Sequence, residues 1–176
     1  MVLEQAETCQ ATAISPADLY EAFAGRGTDY GGSFRSVAEL WTSGSQAFAR
    51  IERPEKGMGG AHKLDPGLLD GCFQIFAALL LEERDRGASV YLPVRVEQVD
   101  WLRPLPDVVG CRLVRRGEAG TPPGHVVGDL TLADTDGAVV ARVRGLTLKR
   151  LAGPAIRPAS GPDELLYRID WESRPH

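Results

Sequence analysis

The stretch that most constrains this chain is Leu64 to Arg86, LDPGLLDGCFQIFAALLLEERDR. It predicts one long helix, because Asp65 can cap it, Pro66 suits the first helical position and Gly87 ends it. Leu68, Leu69, Cys72, Phe73, Ile75, Phe76, Leu79 and Leu80 give it an apolar surface wider than an ordinary amphipathic stripe. Most of its circumference must therefore be covered. Two polar side chains sit inside this surface, Asp70 and Gln74, one turn apart on the same face. A carboxylate in such surroundings needs a partner, a solvated cleft or a bound proton. Asp70 is the candidate chemical group, and Gln74 its partner.

The rest of the chain sets bounds. With 176 residues there is enough polypeptide for one core and too little for two. The net charge of -4 argues against a nucleic-acid or anionic-membrane surface, since both demand basic clusters. Cys9, Cys72 and Cys111 show neither metal-ligand spacing nor a disulfide framework, and Cys72 reads as an inert core thiol. No metal site is visible. No leader and no apolar run of spanning length is found, so a cytoplasmic protein with no membrane contact is expected.

Residues 1–14 lack periodicity and read as a linker or arm. Ser15-Pro16-Ala17-Asp18 starts a short helix whose Leu19, Tyr20 and Phe23 face a core. A glycine-rich bend, GTDYGGSF, spans Gly27 to Phe34 and lacks the Lys-Ser/Thr pair of a phosphate-binding loop. Beyond it the pattern changes to strands. Two are expected from Phe34 to Trp41 and from Ala47 to Ile51, turned at residues 42–45. After the long helix, Val90 to Trp101 reads as a strand, followed by a meander of Val108–Val114, Val126–Leu132 and Val139–Leu151. Asp134-Thr135-Asp136-Gly137 marks a hairpin between the last two. Leu165 to Trp171 suggests one more short strand. The sum is an α+β domain, a twisted antiparallel β-sheet wrapped around one long central α-helix, which is the hot-dog arrangement.

Three stretches, in order, resemble the dehydratase domain of modular polyketide synthases, and in particular its C-terminal half. DPGLLDGCFQ is similar to the family's HPALLDxxxQ, GTDYGGSF to GxxYGPxF, and YLPVRVEQVDW to the strand carrying LPF. The departures are Asp65 for the motif's His, Gly32 for its Pro and Val94 for its Phe. The resemblance implies that Asp70 is the catalytic acid with Gln74 supporting it, and that Tyr30, Gly31, Phe34, Leu92 and Pro93 bind substrate. It also implies a division into a linker over 1–14, a hot-dog domain over 15–152, and a linker with the start of a ketoreductase-like region over 153–176.

The family removes water from a β-hydroxyacyl thioester to give an enoyl thioester. The substrate rides on the phosphopantetheine arm of an acyl carrier protein, and no cofactor is bound directly. The catalytic base is a histidine of an HxxxGxxxxP motif in the first hot dog, and no such motif stands in this chain. His62 and His125 read as surface loop residues. The expected partners are therefore the carrier protein and either an N-terminal dehydratase half or a second copy of the chain. Two other readings share the fold: a degenerate scaffold or carrier-docking module, and a related enoyl isomerase or cyclase.

Overall fold

The structure is a computed structural model that describes residues 2–54, 65–81, 89–117 and 119–151. Among the described residues, eight strands form one sheet in which every pair is antiparallel. They are β1 (Thr12–Ile14), β2 (Val37–Ser43), β3 (Gln46–Glu52), β4 (Val90–Arg95), β5 (Gln98–Trp101), β6 (Val108–Arg115), β7 (His125–Ala133) and β8 (Val139–Leu151). The order across the sheet is β1-β2-β3-β6-β7-β8-β4, with β5 also on β8. The α-helices among the described residues are α1 (Val2–Thr8), α2 (Pro16–Ala24) and α3 (Pro66–Leu81), with a short 3-10 turn at Gly32–Phe34. The expected fold class, an antiparallel sheet about one dominant helix, is what the chain adopts.

Alternation fixes the strands. β6 and β7 bury every second residue, so Val109, Cys111, Leu113, Val126, Leu130 and Leu132 point into one core with α3. The hairpin between β7 and β8 is held by Asp134, whose Oδ1 accepts the N–H groups of Asp136 and Ala138 at 3.1 and 2.8 Å. Ser15 caps α2 as expected, its Oγ accepting the Ala17 N–H at 3.2 Å.

Helix α3 starts on Asp65, which is 2% exposed. Its Oδ1 accepts the Leu68 N–H at 3.0 Å, and its Oδ2 takes the Arg53 guanidinium at 3.0 Å. The departure from the motif's His is thus a buried N-cap paired with a half-buried cation. The helix lies close to β2 and β3 because Gly71 has no side chain. A Cβ there would strike Ser36 Oγ and come within 3.0 Å of Ile51 Cγ2. Ser36 Oγ already bonds the Gly67 carbonyl at 2.9 Å, which pins the start of α3 to the start of β2.

Three local expectations change. The opening residues are not featureless: α1 lays Ala6 over Phe48 and Ala133 in a second small cluster, and β1 pairs with β2. The single strand expected over Val90–Trp101 is two. β8 bends at Gly145, whose φ is 61°, so the strand beside it must break between Arg95, opposite Thr147, and Gln98, opposite Arg144. Finally, the sheet does not enclose α3 on all sides. Leu68, Cys72, Ile75, Phe76 and Leu79 are buried, whereas Asp70, Phe73 and Ala77 form a half-buried stripe on another side. The continuation of the helix to Arg86, His62, the strand at Leu165–Trp171 and the ketoreductase-like tail lie outside the described residues.

Gly71→Ala is expected to lower the unfolding free energy by about 1–3 kcal/mol through overpacking at Ser36 and Ile51. The readout is a lower urea midpoint at an unchanged slope. An unshifted midpoint contradicts the close approach of α3 to the sheet.

Candidate functional site

The half-buried stripe of α3 opens onto a cavity walled by β4, α2 and the bend before β2. Asp70, Phe73, Gln74 and Ala77 contribute from α3, Phe23 from α2, and Leu92 and Pro93 from β4. Asp70, Arg26, Tyr30 and Tyr91 are the ionisable groups of a lining that is otherwise mostly apolar. This gives the apolar surface of α3 its second purpose. One side packs on the sheet, and the other lines a space for an apolar ligand.

Gln74 organises the polar end. It is 3% exposed, and its carboxamide is fully used. Nε2 donates to Asp70 Oδ2 at 2.7 Å and to the Phe34 carbonyl at 2.9 Å. Oε1 accepts the Tyr20 hydroxyl at 3.1 Å. Tyr20 in turn accepts the Val37 N–H at 3.1 Å, so a chain of hydrogen bonds runs from β2 through α2 to the carboxyl group of α3. Leaving any buried member unpaired costs on the order of 1–3 kcal/mol, so the network holds its geometry tightly.

Burial pushes the Asp70 carboxyl above its usual range, and the Gln74 hydrogen bond offsets part of that rise. Tyr30 is pushed up to about 12, first by burial and then by the Asp70 charge and Tyr20. The phenol therefore stays protonated and can donate. Its ring is fixed by Phe23, with centroids 4.9 Å apart at 68°, and by Tyr20 at 6.1 Å.

Of the residues singled out in the sequence, Asp70, Gln74, Tyr30, Leu92 and Pro93 meet at this cavity. Gly31 and Phe34 do not line it. Gly31 is exposed, with no atom within 4 Å of where its Cβ would stand. Phe34 takes part through its backbone carbonyl, which holds Gln74. Tyr20 is the member that sequence patterning leaves among the core residues. Its position on the buried face of α2 carries that signal, but only the fold shows its hydroxyl meeting Gln74.

His125 lies elsewhere. Its ring Nδ1 sits 3.1 Å from the Pro123 carbonyl, in a surface depression shared with Tyr91 and Arg150. Among the described residues, no histidine lines the cavity and no cluster of ligands could hold a metal ion. Nor, among them, is any helix long and apolar enough to cross a membrane.

The family described as "Polyketide synthase dehydratase N-terminal domain" matches residues 2–157. Polyketide synthase GfsE of Streptomyces halstedii is 28% identical over 172 residues, covering 96% of this chain and 4% of that protein. Among solved structures, the dehydratase domain of RzxB from Pseudomonas fluorescens matches with a TM-score of 0.73 and 28% identity. That match covers 80% of this chain and 50% of the other. The CurK dehydratase, solved as an inactive aspartate-to-asparagine mutant, matches with a TM-score of 0.72 and 26% identity, covering 85% and 52%. The chain thus spans about half of these solved structures and a small fraction of the curated relative.

Because the Asp70 pKa is raised by folding, the folded chain holds that proton more tightly than the unfolded chain does. The stability this provides is present in full below the ordinary carboxylate range and is lost as pH rises through the folded value. Asp70→Asn is therefore expected to be more stable than the wild type at neutral pH, with the gap closing as the solution is acidified. Unfolding curves at several pH values check this. A variant less stable at neutral pH would mean that the anion is favoured at this position.

Proposed function

The chain belongs to the polyketide synthase dehydratase family, and within that family we propose that it is the acid-bearing hot dog of a two-part active site. Its sheet and central helix are the hot-dog fold of the solved dehydratase domains it matches. The observation that carries the reading is Asp70 at the cavity, with its pKa raised and its Oδ2 held by Gln74. The substrate is a β-hydroxyacyl thioester delivered on the phosphopantetheine arm of an acyl carrier protein. A base removes the proton α to the thioester carbonyl, electrons move to form the Cα–Cβ double bond, and the Cβ–O bond breaks. Asp70 gives its proton to the departing hydroxyl, which leaves as water. Gln74 positions the carboxyl group, neutral Tyr30 orients the hydroxyl, and Leu92 and Pro93 border the acyl chain.

The base is assigned to a second hot dog. Two observations support this: no described lining residue is a histidine, and the solved relatives are twice as long as the stretch matched here. The surface for such a partner begins at the cavity rim. Leu92 lines the cavity while 44% exposed, and Val94, Val99 and Leu102 continue an exposed apolar strip along β4, β5 and the residue beyond. Strips of this kind mark interfaces. The matching family description names an N-terminal domain, whereas the Asp70–Gln74, Tyr30-Gly31 and Leu92-Pro93 motifs resemble those of the C-terminal half. We assign the C-terminal half because the acid is the group present. The partner is then the N-terminal half or a second copy of the chain, and a cytoplasmic location is part of the same proposal, supported by the likeness to polyketide synthases. The β-hydroxyl that this reaction removes is the group a ketoreduction makes from a β-keto thioester, in keeping with the ketoreductase-like tail expected from the sequence over 153–176.

The test is intact-mass detection of water loss from a β-hydroxyacyl carrier protein. Turnover is expected when the chain is joined to its upstream half and not from the chain alone. Asp70→Asn is expected to reduce the rate of the joined protein by at least about 10²-fold, the scale of a lost general acid. Turnover by the chain alone would place a base within it. Absence of turnover from the joined wild type would overturn the enzyme reading in favour of a docking scaffold.

A further inference from the structure

We infer that Tyr20 is a positioning residue for the dehydration, locking the Gln74 carboxamide so that Asp70 carries its acidic proton on Oδ1 rather than Oδ2. This deepens the reading above and rests on it. The geometry gives each atom of the carboxamide one role. Nε2 has two hydrogens, and they go to Phe34 O at 2.9 Å and Asp70 Oδ2 at 2.7 Å. Oε1 faces the Tyr20 hydroxyl at 3.1 Å. An amide turned by 180° would set its oxygen against the Phe34 carbonyl and its NH2 against Tyr20, whose oxygen already accepts the Val37 N–H at 3.1 Å.

Tyr20 thus selects one amide orientation, with the Phe34 carbonyl selecting the same one. Because Oδ2 accepts a hydrogen bond from Nε2, it is the poorer place for a proton. The proton is left on Oδ1, the oxygen free of Gln74, in a side chain that lines the cavity. The tyrosine itself is well fixed. It is 8% exposed, the Arg35 guanidinium lies 5.2 Å from its ring centroid, and burial raises its pKa so that it remains a donor. Among the described residues, the titratable and charged groups facing this region are Tyr20 and Arg26 on α2, Tyr30 and Arg35 in and beside the bend, and Tyr91 on β4. None of these is a second carboxylate, so the Asp70 carboxyl signal is followed directly.

The experiment is carbon-13 NMR titration of the Asp70 carboxyl in the wild type, Tyr20→Phe, Gln74→Leu and the double variant, all in the chain described here. Tyr20→Phe is expected to raise the Asp70 pKa by about half a unit or more, because a loosened amide donates less well to the anion. Gln74→Leu is expected to raise it further, and adding Tyr20→Phe to that background to change nothing. An unchanged pKa in Tyr20→Phe, or an equal shift with and without Gln74, would overturn the proposal. Should Tyr20→Phe fail to fold, exchange of the Gln74 carboxamide protons in the wild type decides instead. Slow exchange is expected, and the rate of an exposed glutamine overturns the proposal. In the joined protein Tyr20→Phe is expected to lower kcat with little change in KM. An inactive joined wild type would defeat the dehydratase reading while leaving the titration result to stand on its own.

Discussion

One carboxamide holds the site together. Gln74 joins three segments far apart in sequence: α2 through Tyr20, the bend before β2 through Phe34, and its own helix through Asp70. In a nearly dry setting each of these bonds is obligatory, so the position of α2, the path of the bend and the orientation of the acid are set together. Ser36 adds a second tie, bonding the carbonyl of Gly67 in the first turn of α3, about two turns before Gln74. The bend from Gly27 to Phe34 is therefore not a loose connection. It is a strap between the helix and the sheet, and it carries Tyr30 over the cavity.

The second organising fact is the asymmetry of α3. A helix apolar on nearly every side would ordinarily be wrapped on every side, but here one stripe looks into a cavity. The same edge of the domain carries the exposed residues of β4 and β5, from Leu92 to Trp101. In the proposed reading, Asp70, a cavity that no histidine lines among the described residues and an apolar edge strand belong to one site that another hot dog completes. Desolvation does the remaining work. It raises the carboxyl and phenol pKa values that the proposed proton transfer needs, and it would strengthen when a partner covers the rim.

Most of the fold is legible in the sequence because its periodicities are strong. β6 and β7 alternate cleanly, the Asp134–Gly137 turn has the residues such turns demand, and the caps at Ser15 and Asp65 act as their types suggest. The site is half legible. Asp70 and Gln74 stand out because polar groups inside an apolar helix require an explanation. Tyr20 does not, since a tyrosine on a core-facing helix is ordinary and its partners are 17 and 54 residues away. The break between β4 and β5 is hidden for a similar reason. Its cause is a bend at Gly145 in another strand, which local pattern in Val90–Trp101 does not record. Gly31 and Phe34 show the limit of motif reading: the residues match, but one is exposed and the other contributes its backbone.

The central claim is that the β-hydroxyl of the substrate meets Asp70 in the cavity beneath Tyr30. It is tested most directly by a crystal structure of the joined protein with a β-hydroxyacyl pantetheine amide, which cannot be lost by thioester hydrolysis. The account places the β-oxygen within about 3 Å of an Asp70 carboxyl oxygen, with the acyl chain against the α3 stripe and β4. A ligand ordered elsewhere on the chain, with Asp70 out of reach of its hydroxyl, would contradict it.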